Sequence, residues 1–153
     1  MKWRNWLDQW DMTGLKVKAS YLEMEWRPQE ADRDAAWDLY IQLLTRLSSQ
    51  SGEIDEKEEL QRIYAMFNVI RDIIMRHGRD CIEFSKIAIL FLNQVIRPFT
   101  AKWHKILVLD DSFDKNSFRT ELSIIQAELN KFTHMLAEMA GVEDISDIGG
   151  SNG

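Results

Sequence analysis

The residues of this chain that could do chemistry are three histidines, one cysteine and one Arg-to-His spacing. His77, His104 and His134 fall on three different expected helices, and no Glu-x-x-His, His-x-x-x-His or Cys-x-x-Cys pair occurs. Those are the spacings that let neighbouring side chains close on one ion, so no metal and no cofactor is expected. No Gly-x-x-x-x-Gly-Lys or Gly-x-Gly-x-x-Gly loop offers a cradle for phosphates. Cys81 follows Arg76, His77 and Arg79, whose charge could lower a thiol pKa, but an inert cysteine at a helix start is the plainer reading. The run Arg71-Asp72-Ile73-Ile74-Met75-Arg76-His77 joins a phosphate-neutralising guanidinium to an imidazole that exchanges protons near neutral pH.

That run resembles the Arg-polar-x(4)-His signature of the HEPN ribonucleases, which are small helical bundles. The resemblance implies that Arg71 and His77 act on a scissile phosphate and the ribose 2′-hydroxyl, with Asp72 helping to place them. Six positions along an unbroken helix turn by about 240°, so the two side chains meet only if the helix breaks between them. A solvated arginine and a histidine favoured by the helix C-terminus form the structural alternative.

Two further groups suit a partner rather than a reaction. Trp3, Trp6 and Trp10 follow helical spacing and are poorly left in water; tryptophan is enriched at binding hot spots. Either this segment folds back over the helices, or it docks onto another protein or a second copy. The run from Arg97 to Lys105 holds a basic-aromatic cluster at Pro98. There Trp103 is expected in the core, and Arg97, Lys102 and Lys105 are expected to contact an acidic protein or a phosphate.

Charge points the same way. The net charge is -6, yet residues 62–105 hold 8 basic against 3 acidic residues, while both flanks are acidic. The acidic whole makes nucleic acid an unexpected partner, and pairing between the middle and its flanks is the plain reading. A sharper reading gives the middle an anionic partner. The most apolar stretch, Ile87 to Ile96, is interrupted by Asn93 and Gln94 and is too short to span a bilayer. A lone cysteine excludes an internal disulfide and suits a reducing cytoplasm.

The elements that must position these residues are helical. Phe118, Leu122, Ile125, Leu129, Phe132, Leu136 and Met139 alternate spacings of four and three, which puts them on one stripe. The pattern predicts a helix from Asp114 or Asn116 to a stop at Gly141. Another runs from Ala31 or Asp32 into Ser48–Gly52, its core face Trp37, Tyr40, Ile41, Leu44 and Leu47. A third spans Asp55 to Gly78. A fourth starts near Asp80 and must kink or break at Pro98. Residues 15–26 alternate with period two and read as extended, after a short aromatic helix near the start. The expectation is an all-α, antiparallel four-helix bundle over 29–141. An aromatic arm over 1–28 precedes it and a flexible tail over 142–153 follows.

Leu22-Glu23-Met24-Glu25-Trp26, Phe99-Thr100-Ala101-Lys102-Trp103-His104 and Leu136-Ala137-Glu138-Met139-Ala140-Gly141-Val142-Glu143 resemble a pattern in small bacterial proteins of prokaryotic conflict and antiphage operons. The resemblance implies an accessory component beside a larger effector and no catalytic residues. The functional expectation is a non-enzymatic protein–protein interaction module, with an RNA-cutting enzyme using Arg71 and His77 as the alternative.

Overall fold

The computed structural model describes residues 1–12, 14–46, 55–109 and 112–148. Among them the chain is helical, with one isolated antiparallel bridge between Lys2 and Glu25 and no strand. The helices are α1 (Trp3–Gln9), α2 (Ala19–Leu22), α3 (Glu30–Arg46), α4 (Glu56–Tyr64), α5 (Met66–His77), α6 (Ile82–Phe91), α7 (Arg97–Leu109) and α8 (Lys115–Ala140). A 3-10 turn (Arg79–Cys81) leads into α6, and a π turn (Leu92–Ile96) joins α6 to α7.

Helix α8 follows its sequence pattern. Asp114 caps it by accepting from the N–H groups of Asn116 and Ser117 at 3.0 and 3.3 Å. Gly141 ends it at φ +71, a left-handed conformation that glycine adopts without strain. All seven residues of the expected stripe are buried.

Helix α3 departs from expectation. Its start is as the sequence predicts and its expected stop lies outside the described residues, but its buried residues are Asp32, Ala35, Ala36, Leu39, Tyr40 and Leu43. Among the described residues of the expected core face only Tyr40 is fully buried. Ile41 and Leu44 are half-buried, and Trp37 is 44% exposed. The helix packs against α8, α5, α6 and the 3-10 turn. Small Ala35 and Ala36 let those neighbours approach closely, so the face with less side-chain bulk turns inward. Asp32 is buried at the start of α3 and is satisfied by the N–H groups of Gln29 at 2.8 Å and Phe84 at 2.9 Å. That carboxylate ties the first turns of α3 and α6 together.

The expected helix over 55–78 is divided at Ala65 into α4 and α5, and Gly78 ends it at φ +82. Pro98 does not break the fourth helix. The wider π turn comes just before it, so Pro98 falls in the first turn of α7, where its missing N–H leaves no gap. Within the segment expected to be extended, Ala19–Leu22 forms one helical turn instead. Backbone pairing there is confined to the Lys2–Glu25 bridge, where Trp3 N–H donates to Met24 O at 2.9 Å and Trp26 N–H to Met1 O at 2.7 Å. Gln94 anchors the middle of the arm, accepting from Lys16 N–H at 2.6 Å and donating to Lys16 O at 2.8 Å. Trp3, Trp6, Leu7 and Met12 belong to the same buried cluster as the long helices. The loops expected at Ser48–Gly52 and Asp110–Asp111, the core position Leu47 and the Gly-Gly-Ser-Asn-Gly end lie outside the described residues.

Candidate functional site

The three arm tryptophans are tied inward. Trp3 and Trp6 are each 1% exposed, and Trp10 is half-buried. Trp3 Nε1 donates to Glu83 Oε2 on α6 at 3.0 Å, and Trp10 Nε1 to Glu138 Oε2 on α8 at 2.8 Å. Trp6 meets Trp3 edge-on at 5.4 Å and stacks on Trp26 at 4.7 Å. Burial, reinforced by the Glu83 carboxylate, pushes the Tyr21 phenol well above its ordinary value, while Lys86 Nζ sits 4.6 Å from its ring. Trp3 and Trp6 are therefore core residues of the chain, not an outward docking face.

The Arg-to-His run does not assemble into a site within the chain. Helix α5 is unbroken from Met66 to His77, so the two ends diverge. Arg71 is exposed and donates to Asn68 Oδ1 at 3.1 Å. His77 Nε2 meets Asp38 Oδ2 on α3 at 3.0 Å, and Arg76 binds the same carboxylate. Burial pushes the Asp38 carboxyl up, but His77 and Arg76 outweigh it and hold the group below its ordinary value. Asp72 is exposed and makes no ion pair with Arg71 or His77. Cys81 is buried, its thiol 3.1 Å from Gly78 O. Among the described residues no group of three or more His, Cys, Asp or Glu could hold a metal ion.

The basic cluster is partly consumed internally. Trp103 is 2% exposed and lies in the core, as the sequence predicts. Lys102 pairs with Glu121 on α8 at 2.7 Å. Arg97 lies 4.7 Å over the Phe67 ring and donates to Asn93 Oδ1 at 3.2 Å. Lys105 is exposed.

Sequence reasoning missed a cluster where the segment after α8 returns to α3. Tyr40 Oη donates to Asp144 Oδ1 at 2.8 Å and accepts from Ile145 N–H at 2.6 Å. Asp144 Oδ2 binds His134 Nδ1, and Ser146 Oγ lies 3.4 Å from that same nitrogen. Serine, histidine and aspartate thus meet, but both partners use one ring nitrogen. A nucleophile–base–carboxylate relay needs one partner on each nitrogen, so this cluster fastens a segment and does not activate Ser146. Burial pushes the Asp144 carboxyl up, yet hydrogen bonds from Ser146, His134 and Tyr40 hold it well below 3.8. Trp10 stacks on the other face of the arrangement, 6.3 Å from the His134 ring.

Beside this fastening lies apolar surface. Trp37 stacks against Tyr40 at 6.0 Å, and Ile41 and Leu44 follow Trp37 at helical spacing. Ile145 and Ile148 are exposed on the returning segment. The 37/41/44 spacing was visible in the sequence; what was hidden was that the face turns outward. A separate cavity of about 220 Å³ lies between α3, α4 and α5, lined by Leu43, Met66 and Val69 with Arg46 and Arg62 among its walls. Arg62 there donates to Arg46 O at 2.7 Å. Among the described residues no helix is long and apolar enough to cross a membrane. No protein-family model, curated protein or solved structure matches this chain.

Proposed function

We propose that the chain is a non-enzymatic protein-binding module, an accessory or adaptor subunit, built as an antiparallel four-helix bundle with the aromatic arm closed over it. The observation that supports this most is the outer face of α3. Trp37 is 44% exposed there, and Ile41 and Leu44 continue its stripe. A helix that is apolar on both sides has one side to give to a partner helix. An exposed tryptophan within such a stripe is the residue type that dominates binding energy. The returning segment widens the patch with Ile145, whose N–H is held by Tyr40. The partner is another protein, a larger effector or a second copy of the chain. The three pieces that resemble small proteins of bacterial antiphage operons direct the search to proteins encoded beside this one.

The test compares the parent with Trp37→Ala, which removes a side chain 44% exposed, alongside a thermal melt that checks the variant's fold. Light scattering of each pure chain reads self-association, and co-purification with the neighbouring gene products reads a foreign partner. The expected result is a complex that Trp37→Ala weakens about 30-fold or more, the loss of a hot-spot tryptophan. A monomer that associates with nothing in a Trp37-dependent way overturns the reading.

A further inference from the structure

The basic excess of residues 62–105 has a place in the fold. Part of it is cancelled: Arg76 pairs with Asp38, Lys102 with Glu121, and Lys86 with Glu83. Arg62, Arg71, Arg79 and Arg97 have no such ion pair among the described residues; Arg62 donates to Arg46 O, and Arg71 and Arg97 share another treatment. Arg71 is held by the amide of Asn68 and Arg97 by the amide of Asn93. Neither has a carboxylate partner among the described residues. An amide oxygen orients a guanidinium without cancelling its charge, so both cations stay available to an anion.

These arginines lie on two faces that run side by side. Along α4 and α5, Tyr64, Phe67, Asn68 and Arg71 follow at spacings of three and four, which is one side of the helical path. Along α7, Arg97, Ala101 and His104 do the same. The two faces meet ring to ring. Tyr64 contacts His104 edge-on at 4.9 Å, and Arg97 covers Phe67 at 4.7 Å. Moving from Tyr64 to Phe67 on one side means moving from His104 back to Arg97 on the other. One turn past Phe67 stands Arg71, and one turn before Arg97 stands Asn93. Tyr64 is 48% exposed, so its ring has area left for a further contact. The π turn ends at Ile96, just before Arg97, and such turns recur at functional positions.

We propose that this paired face binds single-stranded nucleic acid. The guanidiniums of Arg71 and Arg97 take successive backbone phosphates, and the open face of Tyr64 takes a base. Exposed Lys105, next to His104, adds a third cation at the edge. An acidic peptide would use the cations and leave the ring idle, which is why a strand with bases fits better. The proposal differs from the RNA-cutting alternative, since it uses Arg71 with Arg97 and leaves His77 to Asp38. It is also separate from the α3 surface, so either can fail alone.

The experiment is fluorescence anisotropy of the full chain with labelled oligouridine RNA and oligothymidine DNA at two salt concentrations. Either strand bound supports the proposal, and the two arms tell RNA from DNA. Arg71→Gln with Arg97→Gln is expected to lower affinity at low salt at least tenfold. It should also flatten the salt slope by about 1.4, the value for two lost phosphate contacts on a single strand. Tyr64→Ala is expected to lose about tenfold through stacking. Lys102→Gln, whose charge is already met by Glu121, should bind as the parent does. Arg97 covers Phe67, so a thermal melt accompanies the double variant; if it unfolds, Arg71→Gln alone carries the test with a slope change of about 0.7. Failure of the parent to bind either strand at low salt overturns the proposal. So does binding of polyglutamate in preference to both strands, or a loss with Lys102→Gln equal to that with Arg71→Gln.

Discussion

The arm before α3 and the segment after α8 both lie against the helices, and they are held by different physics. The arm inserts rings. Trp3 and Trp6 are sealed in the core, with Tyr21 tilted against Trp3 and Trp26 stacked on Trp6. Its polar contacts, Trp3 to Glu83, Trp10 to Glu138, Lys16 to Gln94 and Asp11 to Lys131, are scattered around the edge of a large apolar footprint. The segment after Gly141 inserts nothing. Val142, Ile145 and Ile148 are exposed, and one carboxylate, Asp144, gathers Tyr40, His134 and Ser146. Non-directional burial tolerates a change in any one polar contact, whereas a charge-centred clasp depends on a single group and on its ionisation. One end of the molecule should therefore answer to side-chain volume, and the other to charge and pH.

The largest effect should come from Trp6→Ala. Removing that ring empties space between Trp3 and Trp26 and should lower the unfolding free energy by about 3–5 kcal/mol in urea denaturation. A loss under about 1 kcal/mol would mean that the arm is a loose cover and that the contrast with the other end is false.

A smaller loss is expected for Asp144→Asn, about 1 kcal/mol, because the group is partly open to solvent and screened. Its signature is in pH. The folded-state pKa is depressed below 3.8, so the unfolded chain takes up the proton first. The stability that ionised Asp144 contributes is therefore complete above 3.8 and disappears as pH falls toward the lower folded value. The gap between parent and variant should be open at neutral pH and close in strong acid. A gap of constant size across that range would show that the carboxylate's charge is not what fastens the segment.

The smallest effect should be Glu138→Gln. The amide oxygen still accepts from Trp10 Nε1, and the ring's burial is untouched, so melting should shift by no more than about 0.5 kcal/mol equivalent. A loss as large as that of Asp144→Asn would mean that the arm is clamped by charge as well.

Much of the fold could be read from residue order. The stripe and caps of α8, the start of α3 and the stop at Gly78 follow from local patterns and local backbone needs. The facing of α3 did not follow. Bulky Trp37, Ile41 and Leu44 outweigh alanines in any sequence pattern, but Ala35 and Ala36 decide how near a neighbouring helix can come. The period-two signal over residues 15–26 gave way to one helical turn, for among the described residues no partner strand rewards extension beyond the Lys2–Glu25 bridge. Site residues were the least legible. Arg71 and Arg97 were each visible within separate motifs, and their asparagine partners lie only three and four residues away; what no local window contains is the packing of the two helices that sets Arg97 over Phe67 and His104 against Tyr64. The Asp144 clasp joins groups from three elements through contacts that span up to 105 positions, and no local window contains it.

The π turn between α6 and α7 carries one residue more than regular winding would need. That surplus acts as an angular offset of about 100° between everything upstream and everything downstream. Trimming one position from Leu92–Ile96 would leave a tidier coil, yet it would swing Arg97 off Phe67 and His104 off Tyr64, and drag Trp103 toward water. What looks like an irregularity is the gear setting by which a single continuous rod shows one flank to the interior at its beginning and a differently phased one at its end.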